Sequence, residues 1–244
     1  LGSYLVGLGC DVLVERDTAA ESGVGDFRDV TMDAVGTTAD LVVIFGGDGS
    51  MLAAARALAA TGVPLVGVNQ GRLGFMTDIA LGSMLEQMGR IMDGEFTVEP
   101  RSMLHAEVAR ATSCVYDSDA LNDVVLSKGA TGRLIEFLVQ IDGQFVYDLR
   151  SDGLIVASPT GSTAYALWSN GPILQPSVPG LIEIAVKRAA DARLHVDGQP
   201  QAELAEGDRI VIRRAAHPAR LVHPPGYSYY AMLREKLHWS ENPF

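Results

Sequence analysis

The sequence predicts an α/β domain built on a parallel sheet, followed by a β-rich second domain, α+β overall. Three observations carry this. Leu41–Phe45 is an uninterrupted apolar run that empties into Gly46-Gly47-Asp48-Gly49-Ser50 and then into the helix-forming segment Met51–Ala60. A second apolar run, Val63–Asn69, follows that helix at the spacing of a βαβ unit. From Ser102 to Arg214 the pattern changes to short alternating segments divided by turn residues. The first domain is therefore read as Rossmann-like, over residues 1–98 and completed by the tail 227–244; the β-rich domain takes 99–226.

Taken in order, Leu1–Gly9 reads as the end of a helix closed by Gly9, ahead of a short strand Asp11–Glu15. Thr18–Thr38 is polar and glycine-rich and reads as a flexible connection. Leu41–Phe45 reads as a strand buried on both faces. The exit of the next strand is a second glycine-punctuated loop, Asn69-Gln70-Gly71-Arg72-Leu73-Gly74-Phe75. Two such loops at the carboxyl ends of neighbouring strands define the crevice where open α/β sheets bind ligands. Arg72 is placed either to reach a phosphate there or to sit solvated. A helix follows over Leu81–Met92, and Glu99-Pro100 marks the change of character. Strands are expected at Leu104–Val108, Val124–Ser127, Leu134–Ile141, Phe145–Leu149, Leu154–Ala157, Leu181–Lys187 and Arg209–Arg213, with Asp142-Gly143 as a hairpin turn. Tyr230, Leu233 and Leu237 give the tail a helical period ending at Trp239, expected to pack on the first domain.

Composition narrows the partners. A formal net charge of −11 over 244 residues argues against non-specific nucleic-acid binding, which needs a basic footprint. No apolar run reaches the roughly 18 residues of a membrane span, so no membrane partner is expected. Cys10 and Cys114 have no CxxC context, and two buried free thiols in a reducing, cytoplasmic setting are the expectation.

The chemistry concentrates in three places. Strand, glycine turn and helix N-terminus at Gly46–Ser50 form a phosphate cradle, because the turn lets backbone approach a ligand and the first helical N–H groups are unpaired. Asp48 inside it would repel phosphate, so it is read as a general base or metal partner; the alternative is a cap for a helix beginning near Ser50. Flanking glycines favour the first use, since a cap does not require them. In the second domain, Asp152–Ala157 delivers Ser158-Pro159-Thr160-Gly161-Ser162-Thr163, which opens a helix at Ala164. Its hydroxyls suit phosphate or ribose oxygens and Tyr165 offers a purine a stacking face, although such clusters also cap helices. Asn122-Asp123, before a strand, can bind an adenine edge or a ribose diol, or simply turn the chain.

Together these segments resemble the NAD kinase family. The hallmarks are Gly46-Gly47-Asp48-Gly49-Ser50, then Asn69 to Phe75, then Asp152 to Tyr165, and the resemblance runs to Trp239. Neither a G-x-x-x-x-G-K-[ST] loop nor a G-x-G-x-x-G fingerprint is present. The resemblance implies phosphoryl transfer from ATP, or polyphosphate, to the 2′-hydroxyl of the adenosine ribose of NAD, giving NADP, with Mg²⁺ carried by the nucleotide. It implies Asp48 as the base accepting the hydroxyl proton, in the loop of Gly46, Gly47, Gly49 and Ser50, with no protein metal ligands. Asn122 and Asp123 would hold the adenosine and its ribose hydroxyls. Thr163, Ala164 and Tyr165 would line the adenine site beside Phe75, with Thr160, Gly161 and Ser162 in the same turn. Asp152 would contact the nicotinamide side and Arg150 the new 2′-phosphate, both from a neighbouring subunit of a homodimer or homotetramer. Asp197 and Gln199 fit a family turn near the substrate.

This chain departs from the family pattern in places. It opens within the first helix, and a Pro-His-containing loop and strand is expected between Gly180 and Leu181 but missing. Asp123 replaces the usual Glu, and Trp168 stands where relatives carry a small residue. Two other readings share the Gly-Gly-Asp-Gly loop: a diacylglycerol- or sphingosine-type kinase, and a catalytically silent NADP-binding sensor.

Overall fold

The structure, a computed structural model, describes residues 1–71, 74–130, 132–169, 182–189 and 191–237. Arg72, the Gly180-Leu181 junction and Trp239 lie outside these, as does the Trp168 side chain. The chain divides into two compact units, Leu1–Pro100 with Ala219–Phe244, and Arg101–Pro218.

In the first unit, the main sheet has the order Val42–Gly46, Pro64–Asn69, Ala219–His223, Thr97–Arg101. The first three strands are parallel, and Ile79–Ala80 adds to Pro64–Asn69, again in parallel. The helix Asp48–Leu58 crosses between the first two strands, as the sequence predicts. Its Met51, Ala55 and Leu58, spaced along one face, are 0%, 0% and 1% exposed. Burying Met51 and Leu58 is worth about 1.5–3 kcal/mol each.

Two expectations are corrected here. Val42–Gly46 is not buried on both faces in this structure: only Ile44 is buried and Phe45 is 41% exposed, and among the described residues the strand pairs with Pro64–Asn69 on one side. Its neighbour Pro64–Asn69 is the interior strand and buries every residue from Leu65 onward. The stretch 18–38 is not a loose connection. It forms the end of the helix Arg16–Ser22, the strand Arg28–Val30 and the helix Met32–Thr38, and that strand pairs in parallel with Leu13–Glu15. Side-chain caps hold it: the Glu15 carboxylate, an unusual cap, accepts from the N–H of Asp17 (3.0 Å) and Thr18 (2.8 Å), and Thr31, a common one, caps the following helix.

The second unit packs two antiparallel sheets on one core. A six-stranded sheet runs Gln144–Ser151, Ile135–Ile141, Ile182–Arg188, Arg209–Arg214, Leu104–Arg110, Ser113–Ala120. A four-stranded sheet runs Gly153–Ala157, Asp123–Ser127, Arg193–Val196, Gln199–Glu203. Alternation aims Ile135, Phe137 and Val139 into the same core as Val124, Leu126, Leu194 and Val196. Tight hairpins turn at Asp142-Gly143 and Asp197-Gly198, where all four residues have φ between 49° and 75°, as a two-residue type I′ loop requires.

Ser113–Ala120, Arg193–Val196 and Gln199–Glu203 are strands that the sequence does not advertise, being polar or interrupted. Ala219–His223 is the more consequential surprise. The sequence reading leaves residues 219–226 with the β-rich domain, yet this strand lies inside the first unit's sheet, between Pro64–Asn69 and Thr97–Arg101. A short apolar run such as this fits either sheet, and pairing, not local pattern, assigns it.

Candidate functional site

In the first unit, Gly46 and Asn69 are register partners at the carboxyl ends of adjacent parallel strands, so both glycine loops leave side by side. Asp48 is the first residue of its helix, with Gly47 as N-cap. Its carboxylate turns to the other loop: Oδ2 accepts from the Phe75 N–H at 2.8 Å and Oδ1 from the Met76 N–H at 3.0 Å. A capping role alone is thus corrected, since the acid's partners lie on another strand's exit. Gly74 is obligatory, because a Cβ there would stand 2.2 Å from Asp48 Oδ1. Thr77 is tied back by Asn69 Nδ2 at 2.9 Å, and the Asn69 Oδ1 accepts from Gly71 N–H at 2.6 Å. Gly46 has a φ of +150° and presses on the Ser50 hydroxyl, where a Cβ would clash. At Gly47 and Gly49, by contrast, a Cβ would meet nothing within 4 Å. These two leave open, solvent-facing space over the helix N-terminus, with Ser50 exposed beside it.

In the second unit, the hydroxyl-rich turn is stitched to the Asn122-Asp123 segment. Ser158 N–H donates to Asn122 O at 2.7 Å, the Ser158 hydroxyl donates to Leu121 O, and Gly161 N–H donates to Ser158 Oγ at 3.1 Å. Gly161 allows this closeness, since a Cβ would lie 2.0 Å from the Asn122 carbonyl oxygen. From the opposite side Asp197 accepts from the N–H groups of Leu121 (3.1 Å), Asn122 (2.7 Å) and Asp123 (3.2 Å). Asp197 therefore positions backbone, while Gln199, one turn on, is exposed.

The residues held this way carry the unsatisfied polarity. Asn122 Oδ1 is buried without a hydrogen-bond partner. Asp123 is 3% exposed, and burial, then the nearby Asp197 charge, pushes its carboxyl up to about 6. A buried acid beside an amide oxygen with no donor among the described residues is what a hydroxylated or amino-bearing ligand would complete. Thr160, Ser162 and Thr163 are buried; the Ser162 hydroxyl donates to Pro159 O at 2.6 Å and that of Thr163 to Thr160 O at 3.0 Å. Both hydroxyls brace their own turn. Ala164 is half-buried and Tyr165 is 55% exposed, its ring available for stacking. Arg150 and Asp152 are exposed and face other partners, Glu136 at 3.7 Å and Lys128 at 2.6 Å; among the described residues no hydrogen bond or ion pair joins them to the Asn122 cluster.

Sequence reasoning missed Ser158 as the link between the two segments, and it missed a triad of the buried His223 with the half-buried Asp78 and Glu99. The latter had no local signal, since its members come from three distant segments. Cys10 is half-buried and Cys114 exposed, so the expectation of two buried thiols is corrected.

Comparison with known proteins bears directly on this arrangement. Family models described as the ATP-NAD kinase N-terminal and C-terminal domains match residues 6–96 and 121–182. The chain belongs to the NAD kinase family. Among NAD kinases, that of Aromatoleum aromaticum is 49% identical, with 100% of this chain and 89% of the relative covered. The NAD kinase of Azoarcus sp. (strain BH72) is 47% identical, covering 100% and 90%. The yeast NADH kinase complexed with NADH superposes with a TM-score of 0.87 at 22% identity, over 98% of this chain and 83% of its own. An NAD kinase from Archaeoglobus fulgidus in complex with ATP superposes with a TM-score of 0.69 at 21% identity, over 93% and 97%. At such identities these two speak for the NAD kinase fold, an α/β domain joined to a β-rich one.

Proposed function

We propose that this NAD kinase transfers the γ-phosphoryl group of ATP, or a phosphoryl group of polyphosphate, to the 2′-hydroxyl of the adenosine ribose of NAD, giving NADP. The observation that carries the reading is the Asp48 carboxylate, clamped by two backbone N–H groups at the start of a helix whose flanking glycines leave space. In the proposed step Asp48 accepts the 2′-hydroxyl proton, the oxygen attacks the terminal phosphorus, and the bond to the leaving phosphate breaks. Phosphoryl transfer needs positioning and charge stabilisation more than covalent chemistry, so one oriented base and a phosphate cradle suffice. Gly46, Gly47, Gly49 and Ser50 are assigned to the phosphates, and Arg72 is kept as a phosphate contact on the resemblance alone. Asn122 and Asp123 are assigned to the adenosine, with Tyr165 stacking on the base and Thr160 to Ala164 shaping the turn beneath it. The two backbone N–H bonds fix the direction of the Asp48 carboxylate, and Mg²⁺ is proposed to come on the nucleotide, where it neutralises phosphate charge. Among the described residues the one cluster with metal-ligand spacing is His105, Glu107 and Asp117 in the second unit, and Arg213 already neutralises its Glu107.

A homodimer or homotetramer belongs to the same proposal, as does a cytoplasmic setting. The edge strand Gln144–Ser151 supports the former by exposing Phe145 (61%), Val146 (43%) and Leu149 (40%); the two free thiols support the latter. Sedimentation in dilute buffer checks the assembly.

The test is NADP formation from NAD, ATP and Mg²⁺, read by an NADP-specific dehydrogenase. Asp48→Asn is expected to keep NAD binding and lose roughly 10²- to 10⁴-fold in turnover. Near-wild-type turnover in that variant removes the base assignment; NAD binding without any NADP from the wild type marks a silent sensor.

A further inference from the structure

Two residues beyond the amides that hold Asp48, the same turn is anchored by a charge cluster around a buried histidine. His223, at the end of the strand Ala219–His223, is 1% exposed. Its Nδ1 is bonded to Asp78 and its Nε2 to Glu99 at 3.1 Å. Tyr227 stacks on its face with centroids 3.7 Å apart and planes within 5°. Both partners of the ring are carboxyl groups; with both ionised they only accept, and both ring nitrogens then donate, which is the arrangement that favours the imidazolium form. Placing a charged ring at a buried position is no cheaper than apolar packing of the same volume, so stability alone is weak grounds for it.

Position supplies the reason. Phe75 and Met76 present their N–H groups to Asp48, Thr77 is tied to Asn69, Asp78 to His223, and Ile79 enters the sheet beside Val68. Asp78 is thus where the turn's side chains are fixed to the far strands of the sheet. We propose that His223 is a positioning residue for phosphoryl transfer: by bridging Asp78 to Glu99 it holds the 74–78 turn whose amides orient the Asp48 carboxylate. The inference rests on Asp48 being the base. Nothing in the triad touches a reacting atom, and its effect passes entirely through the direction in which Asp48 points.

Steady-state kinetics of His223→Gln and Asp78→Asn, each alone and combined with Asp48→Asn, test this. Misorienting a reacting group by a fraction of an ångström to one ångström is expected to lower kcat by roughly 10- to 100-fold. KM for ATP is expected to stay within about twofold, because the glycine loop assigned to its phosphates is not part of the 74–78 turn, and in the Asp48→Asn background either change is expected to cost no more than about twofold further in kcat. A general loss of packing would instead lower turnover by the same factor in both backgrounds, and that result overturns the proposal, as does wild-type kcat in a folded His223→Gln or Asp78→Asn protein. Thermal denaturation reports folding; if His223→Gln does not fold, Asp78→Asn, which keeps the side chain's shape, carries the same comparison. Failure of the wild type to make NADP, or full turnover in Asp48→Asn, would count against the functional reading instead.

Discussion

His223 and Asp123 are both buried and both shifted upward, yet they act oppositely on stability. For His223, burial works against the charge, but the hydrogen bonds to Asp78 and Glu99 outweigh it and raise the pKa above the ordinary 6.5. A base raised on folding contributes stability that is fully present below the unfolded value and is lost as pH rises through the folded one. The Tm advantage of the wild type over His223→Gln is therefore expected to be largest below about pH 6.5 and to narrow on the alkaline side, as a pH series of melts would show. Asp123, raised from 3.8 to about 6 by burial and by Asp197, is an acid that the folded state resists ionising. Its cost grows as pH rises from the unfolded to the folded value and is fully present above about 6. Asp123→Asn is expected to stabilise the protein at pH 7.5 by on the order of 1–3 kcal/mol while weakening NAD binding. Denaturant unfolding and NAD titration of the same variant check both halves; a variant that is less stable and binds normally would deny Asp123 a ligand role.

At the scale of elements, glycines separate structural from functional need. Gly161 sits where the 158–161 turn meets the Asn122 carbonyl, so Gly161→Ala is expected to cost about 1–3 kcal/mol through overpacking, visible as a lowered Tm. Gly49 is in the first turn of the helix Asp48–Leu58 with open space around it. Gly49→Ala is expected to leave Tm unchanged or raised, since alanine is the better helix former by about 1 kcal/mol, while raising KM for ATP by filling the phosphate space. A normal KM would remove the phosphates from that loop. The same contrast explains what could be read in advance. The Asp48 loop is written in consecutive residues, as strand, glycine turn and helix former, and each acts on its immediate neighbours. The caps at Glu15 and Thr31 are just as local, but Glu is a rare N-cap, and the elements they start or adjoin are only three to seven residues long, too short for a clear period.

For the whole molecule, the return of the chain decides the architecture. Ala219–His223 occupies the interior of the first unit's sheet and brings His223 to Asp78, 145 residues away. A chain ended at Pro218 is expected to lose the protease resistance of residues 1–100 and to keep that of the Arg101–Pro218 unit, whose two sheets share their own core. Limited proteolysis with mass spectrometry checks this; a protected N-terminal fragment would show that the strand is dispensable.

The sequence by itself determined the α/β-then-β order, the Gly-Gly-Asp-Gly loop at a strand exit, the two-residue Asp-Gly hairpin at 142–143 and the family, because each rests on contacts between near neighbours along the chain. It also marked Asn122, Asp123 and the Ser158–Tyr165 turn as polar material for a ligand. Only the tertiary structure decided that Pro64–Asn69, and not Val42–Gly46, is the more fully buried strand, that Asp197 spends its carboxylate on the backbone of residues 121–123 some 75 positions away, and that His223 closes on Asp78 and Glu99. Those are long-range pairings, set by which strands share a sheet and how much charge the interior must neutralise, and no local pattern of residues encodes them.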